Sequence, residues 1–369
     1  MTGSVADVGG LRDLVQQLFP GAVLLEVRAL APDVGGVSAA DDPTVKSLGY
    51  GRPLRVAILE ANGARRTVVF RTATSNPYGH DRRADRAEGM ILAYDTYSRI
   101  PGHVRALDVG AIAKDGRLVS LRDTGEVYLV TEWAPGALYA EDLRRLAQAG
   151  TALPLDVDRC DALARYLLAL HTPLVGQDEA YVRALRDLVG HGEGIFGIVD
   201  GYGPDVPAAP PARLRAIEER CLAWRWRLKD RRHRLRRTHG DFHPFNVVFA
   251  EGSSFRVLDA SRGGLGDPAD DLTCMSINFV FFALEHPEAW RQGLGVLWRR
   301  FWRIYLQGSS DVEVLAAAPP FFAWRALVLA NPSFYPVLTA ASRDRLLGFA
   351  ERALAASRFD PEMAEDLFA

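Results

Sequence analysis

The sequence is poor in cysteine and has no long apolar run. Its three cysteines, Cys160, Cys221 and Cys274, are odd in number and far apart. They make no CxxC pair and no Cys/His cluster, which excludes a disulfide framework and a zinc-finger type of site. A reducing compartment is the simpler reading. The longest apolar stretches, near Phe279–Leu284 and Ala326–Ala330, fall far short of the roughly 18 residues that a bilayer-crossing helix needs. An excess of one charge is also missing: 44 Lys and Arg face 46 Asp and Glu, a formal net charge of −2. No bulk field therefore favours nucleic acid or an anionic membrane as partner. The first residues, MTGSVADVGGLRDLVQQLF, lack the basic start and apolar stretch of a secretory signal. Internal repeats and low-complexity segments are absent too, and the expectation is a soluble, cytoplasmic protein.

What is there is enough for a sizeable core. At 369 residues the chain has the length of two domains or lobes, and 48% hydrophobic with 24% charged residues is the balance of a folded chain. Up to about residue 135 the pattern is strand-like. PLRVAILE (Pro53–Glu60) and RRTVVFRT (Arg65–Thr72) flank Asn62-Gly63, a dipeptide suited to a tight turn with positive φ, and predict an antiparallel hairpin. Ala22–Leu30, Leu118–Leu121 and Glu126–Trp133 are further candidate strands. Asp81–Ser98 has apolar residues at helical spacing and no proline, so it reads as one helix inserted among them.

After residue 136 helical periodicity dominates, over Asp156–His171, Glu179–Leu188, Pro211–Leu228, Asp267–Leu284, Pro287–Leu306 and Ser342–Leu354. A second hairpin, Asn246–Ala250 and Phe255–Asp259, stands isolated among these helices. The shift in composition divides the chain into a smaller β-rich part, residues 1–133, and a larger helical part, residues 134–369. The fold class is α+β.

The strongest chemical signal is His239-Gly240-Asp241-Phe242-His243-Pro244-Phe245-Asn246, followed by Asp259 at the end of the second hairpin. Asp-x-x-x-x-Asn is the spacing of a kinase catalytic loop, in which the Asp accepts a hydroxyl proton and the Asn holds Mg²⁺. A carboxylate arriving on a neighbouring strand, Asp259, completes a hard-oxygen shell suited to Mg²⁺ together with nucleotide phosphates. The alternative is a loop Asp and Asn that merely cap adjacent backbone.

HGDFHPFNVVF and then VLDASRGGLGDPADDL resemble the signature of the aminoglycoside phosphotransferase and choline-kinase-like family: HGDxHxxN, a short hairpin, an Asp, then GDPxxDL. The resemblance extends more weakly to VTEWAPG (Val130–Gly136) and ALARYLLALH (Ala162–His171). It implies a bilobal protein-kinase-like fold with a small β-rich N-lobe carrying one inserted helix and a larger α-helical C-lobe. It also implies ATP or GTP as phosphoryl donor and a small-molecule acceptor. On that resemblance Asp241 is the catalytic base, His239 supports its loop, and Asn246 and Asp259 bind Mg²⁺. Asp267 and Asp271 match the GDPxxDL aspartates and are assigned mainly to structure, with Asp267 suited to cap the following helix. Two departures stand out. Ala260 follows the metal Asp where a large aromatic is common, and Phe242 and Phe245 put two rings near the acceptor, which argues against the usual aminoglycosides.

A kinase also needs a cation on its third strand and an acid on the next helix. Arg71 is the candidate cation, with Glu88 as its partner and Asp85 as the alternate. Gly49-Tyr50-Gly51 is a candidate phosphate-covering loop, although a plain turn reads equally well. By the resemblance, backbone groups of Glu132 and Ala134 hold the donor's base. Arg225–Arg237 carries eight Lys and Arg and reads as a solvated helix end. The reading is a small-molecule kinase, with a nucleotide-binding module without turnover as the alternative and a protein kinase ranked last.

Overall fold

The structure, a computed structural model, describes residues 8–30, 51, 53–260 and 262–369. The chain is mixed α and β and divides into two units, Met1–Thr131 and Glu132–Ala369.

In the first unit helix α1 (Val8–Leu18) precedes a three-stranded antiparallel sheet, β1 (Val23–Ala29), β2 (Leu54–Leu59) and β3 (Arg65–Phe70), in the order β1-β2-β3. The predicted hairpin forms because Gly63 takes φ 82° and the Asn62 side chain accepts from the Ala64 amide at 2.9 Å. Alternation on β2 buries Val56 and Ile58 against Val15 and Ala22 in a small core. Helix α2 (Arg83–Tyr97) is the expected inserted helix. Its start is fixed by Asp85, whose carboxylate accepts from the Arg82 amide at 2.7 Å. A short hairpin, β4 (Gly110–Ile112) and β5 (Leu118–Ser120), follows.

The strand expected over Glu126–Trp133 does not form. The segment has no ladder partner among the described residues, so its β-branched composition finds no sheet to join. Val127, Tyr128, Leu129 and Val130 are 76–90% exposed.

The second unit begins with β6 (Ala137–Leu138), which pairs with β8 (Val247–Phe249), and β8 pairs with β9 (Phe255–Val257) to make the expected second hairpin. Gly136, just before β6, has φ 137°, and a Cβ there would overlap the Phe249 carbonyl oxygen. Only glycine fits this crossing. Helices α3 (Tyr139–Ala149), α4 (Pro154–Leu170), α5 (Asp178–Gly190), α6 (Ile195–Asp200) and α7 (Pro211–Leu228) lead to a two-stranded pair of β7 (Arg236–Arg237) with β10 (Leu265–Gly266). Then come α8 (Pro268–Ala283), α9 (Gly295–Ser309), α10 (Val314–Ala330) and α11 (Ala340–Ala355). The helix expected over Pro287–Leu306 is divided, with Trp290–Leu294 wound more loosely before α9 begins.

Helix α10 (VLAAAPPFFAWRALVLA) is apolar around its axis apart from Arg325 and is packed by α7, α8 and α11. Helix α8 starts where Asp267 accepts from the Ala269 amide at 3.0 Å and Pro268 takes the first helical position, as the sequence predicts. All three cysteines are buried and free. Among the described residues no helix is long and apolar enough to cross a membrane.

Candidate active site

The loop between β7 and β8 holds the HGDFHPFN residues, and α8 anchors it. Asp271, fully buried one turn into α8, accepts from the His239 amide through Oδ2 and from the Gly240 amide through Oδ1, both at 2.8 Å. Its Oδ2 also meets His171 Nε2 at 3.1 Å, and His171 Nδ1 meets the Tyr305 hydroxyl at 2.7 Å. The carboxylate thus satisfies two backbone donors inside the protein and fixes the path of the loop. Gly240 is a residue that the bend requires: it has φ 85°, and a Cβ would meet that of Arg262 at 3.2 Å. The His239 side chain accepts from the Asp241 amide through Nδ1 at 3.3 Å. That leaves the proton on Nε2, which is buried with no hydrogen-bond partner among the described residues.

Asp241 lies at the centre of a charged cluster. Its Oδ1 accepts from Arg325 Nη1 at 2.8 Å and from Arg262 Nη1 at 3.1 Å, and Cys274 Sγ lies 3.8 Å away. Its Oδ2 faces His243 Nε2 at 3.4 Å and Asn246 Nδ2 at 3.5 Å. His243 Nδ1 accepts from the Phe245 amide at 3.2 Å, so its proton sits on Nε2, toward Asp241. Burial pushes the Asp241 carboxyl up, but the His243 hydrogen bond and the Arg325 and Arg262 charges outweigh it. The group is held well below the usual carboxylate range.

Asn246 is buried, and its amide nitrogen donates to the Asp241 carbonyl at 3.1 Å, which leaves Oδ1 as a free acceptor among the described residues. The Leu258 amide donates to the Asn246 carbonyl at 2.8 Å, so the hairpin register brings Asp259 beside Asn246. Asp259 is exposed, has no side-chain partner among the described residues, and holds φ 49°, in the left-handed region. Strained backbone of this kind at a non-glycine residue persists where the surroundings impose it and gathers at functional sites. An amide oxygen and an unpaired carboxylate on adjacent strand ends form a donor set that fits Mg²⁺. No cluster of three or more His, Cys, Asp or Glu that could hold a metal by themselves occurs among the described residues. The remaining ligands would have to come from substrate or water.

Three groups of this cluster escape the motif. Arg325 comes from α10 and also donates to Asp270 at 2.6 Å and to the Gly240 carbonyl at 3.1 Å. Its signal in the sequence is that it is the lone charge in seventeen otherwise apolar or small residues, a place where a charge survives only with partners. Arg262 bonds Glu193 at 3.3 Å as well as Asp241. The Asp270 carboxyl is pushed up to about 6 by burial, with the Asp271 charge adding and the Arg325 and Arg262 charges pulling back.

The other predicted residues are placed as follows. Phe242 does not line the site: it is fully buried and stacks on Tyr166 at 5.6 Å, whereas Phe245 is half-buried. Arg71 is exposed just past β3, and its Nη1 donates to the Tyr97 hydroxyl at 3.1 Å; Glu88 is exposed on α2 and makes no ion pair with it. Asp85 is engaged in capping α2. Gly51 bridges to Ala73, and a Cβ on it would overlap the Thr72 carbonyl oxygen; Gly49 lies outside the described residues. Glu132 accepts from Arg256 at 3.3 Å, and Ala134 is half-buried beyond it. The basic run is a solvated helix end only in part. Arg234 is buried and forks onto Asp267 at 2.7 and 2.8 Å, with Asp311 at 2.9 Å, while Tyr181 donates to Asp267 at 2.9 Å. A hollow of about 560 Å³ bounded by Tyr166, Phe255, Arg256 and Val257 contains none of the charges around Asp241.

Several solved structures resemble the chain weakly. A choline kinase from Streptococcus pneumoniae is 11% identical, with 94% of this chain and 97% of that one covered and a TM-score of 0.36. A macrolide 2'-phosphotransferase from Brachybacterium faecium is 16% identical, over 98% and 97%, with a TM-score of 0.31. An ethanolamine kinase from Plasmodium vivax is 14% identical, over 86% and 78%, with a TM-score of 0.34. No curated protein sequence matches. The profile of the phosphotransferase enzyme family matches residues 103–306, a span that includes the whole Asp241 loop, the hairpin and α8. The chain belongs to the phosphotransferase enzyme family.

Proposed function

We propose that the protein is a small-molecule kinase of protein-kinase-like, bilobal architecture that moves the γ-phosphoryl group of ATP or GTP to a hydroxyl of its acceptor. The observation that carries this reading is the juxtaposition of a half-buried carboxylate, Asp241, with two unengaged oxygen donors, Asn246 Oδ1 and Asp259, on one loop and hairpin. Membership of a phosphotransferase family supports it.

Phosphoryl transfer asks little covalent chemistry of a protein and much positioning and charge stabilisation. Asp241 stays ionised across the neutral range and, with Oδ1 pinned by two guanidiniums, offers Oδ2 to the acceptor hydroxyl. It orients the nucleophile and takes its proton as the bond to phosphorus forms. Asn246 and Asp259 would hold Mg²⁺, which when bound neutralises charge on the donor's phosphates. His239 and Asp271 hold the loop in shape. Arg71 with Glu88, the backbone at Gly49 and Gly51, and the backbone of Glu132 and Ala134 are proposed for the donor's phosphates and base.

Titration of ATP and of GTP with and without Mg²⁺ tests the donor half of this reading. Nucleotide affinity that rises with Mg²⁺ supports it, and no nucleotide binding under either condition contradicts it. The intact set of Asp241, Asn246 and Asp259 argues against a binding module without turnover.

A further inference from the structure

We infer that the acceptor carries a carboxylate, bound by Arg144, on an apolar body that lies along Phe245; this rests on the phosphotransferase reading and names the substrate class of the same site. Asp270 is engaged by Arg325 at 2.6 Å, Glu193 by Arg262 at 3.3 Å, and Asp241 by both arginines. Three carboxylates thus share two guanidiniums, so the cluster itself keeps no unpaired cation for an acid group.

Arg144 is the converse. It projects from α3 with its guanidinium 5.3 Å from the centre of the Phe245 ring, and among the described residues it has no carboxylate partner. A guanidinium laid on an aromatic face keeps its N–H edge free, and that edge matches a carboxylate with two parallel hydrogen bonds. The side chain is exposed, so a ligand can reach it.

Between Arg144 and Asp241 the surface is aromatic. Phe245 lies five residues after Gly240 in the same loop, in ring contact with His243 at 5.8 Å, and packs on Phe282 at 6.5 Å. Tyr335 packs on Phe281 at 4.8 Å. Contacts thus run from Arg144 through the Phe245 ring and His243 to Asp241, and a hydroxyl at Asp241 with an acid group at Arg144 would bracket the Phe245 ring.

The test uses thermal shifts of the full chain without nucleotide, against hydroxy acids, neutral alcohols and hydroxy amines built on matched aliphatic and benzyl-alcohol frames. The inference predicts stabilisation by hydroxy acids alone. Arg144→Ala should weaken that binding about tenfold or more, since one charge-assisted pair is lost, and Arg144→Lys should restore part of it. Stabilisation by hydroxy amines, equal binding of the acids to Arg144→Ala, or no binding of any hydroxy acid would overturn it. A second arm adds ATP and Mg²⁺. Acids that bind through Arg144 yet gain no phosphoryl group would leave the acid site standing and contradict the phosphotransferase reading instead.

Discussion

Arg325 Nη1 donates to Asp241 Oδ1 at 2.8 Å, across 84 residues of sequence and from the middle of an apolar helix. The same guanidinium reaches Asp270 through Nη2. One cation therefore serves two carboxylates that titrate in opposite directions, since Asp241 is held low while Asp270 is pushed up to about 6. The pairing fixes which oxygen of Asp241 is left for chemistry.

Arg325 is a positioning residue, and its removal should have two separable effects. Arg325→Ala leaves two half-buried carboxylates without their shared cation, although Asp241 keeps Arg262, and should cost about 1–3 kcal/mol of stability. Arg325→Lys keeps the charge without the fork. It should fold, lower kcat more than it raises KM, and move the acid limb of the pH–rate profile upward because Asp241 loses one of the bonds that hold its carboxyl low. An unchanged acid limb with an unchanged kcat would show that Arg325 only braces the fold.

Asp270 gives a stability prediction with a definite sign. Its folded carboxyl titrates near 6 and its unfolded one near the ordinary value of 3.8. Between those values the folded state binds more protons, so this group's contribution is fully present below about pH 4 and is lost as pH rises through 6. The shift corresponds to a difference on the order of 3 kcal/mol. In urea unfolding, wild type should therefore gain stability relative to Asp270→Asn as pH falls from 7.5 to 5. A difference that stays constant over that range would contradict the placement of Asp270.

Asp259 separates folding from metal binding. Its exposed side chain contributes little packing, and asparagine tolerates the left-handed backbone at φ 49° as aspartate does. Asp259→Asn should leave the free energy of urea unfolding within about 0.5 kcal/mol of wild type. It should also remove most of the Mg²⁺-dependent gain in nucleotide affinity. Retention of that gain in titrations would take Asp259 out of the proposed metal shell.

Much of the local structure was legible because it is decided locally. Asn62-Gly63 between two β-rich runs is a hairpin, Asp267-Pro268 is a helix start, and Pro211–Leu228 is a helix over the residues its periodicity predicts. The loop from His239 to Asn246 could be picked out as one chemical unit, for its residues lie within one short stretch. What could not be read depends on contacts far apart in the chain. Glu126–Trp133 has a strand's composition and no ladder partner among the described residues. Phe242 adjoins Asp241 in sequence yet turns into the core against Tyr166. The groups that pin Asp241 come from α8, α10 and the segment after β9, and only the lone arginine in an apolar helix hinted at them.

The central claim, phosphoryl transfer with Asp241 as base, is tested most directly by following the γ-phosphoryl group of labelled ATP into pooled small hydroxylated molecules. Asp241→Asn keeps the size of the side chain but cannot take the proton. The account predicts a labelled product with wild type, formed about 10²–10⁴ times more slowly by Asp241→Asn while nucleotide binding survives. Equal rates of product formation by the two proteins would contradict it.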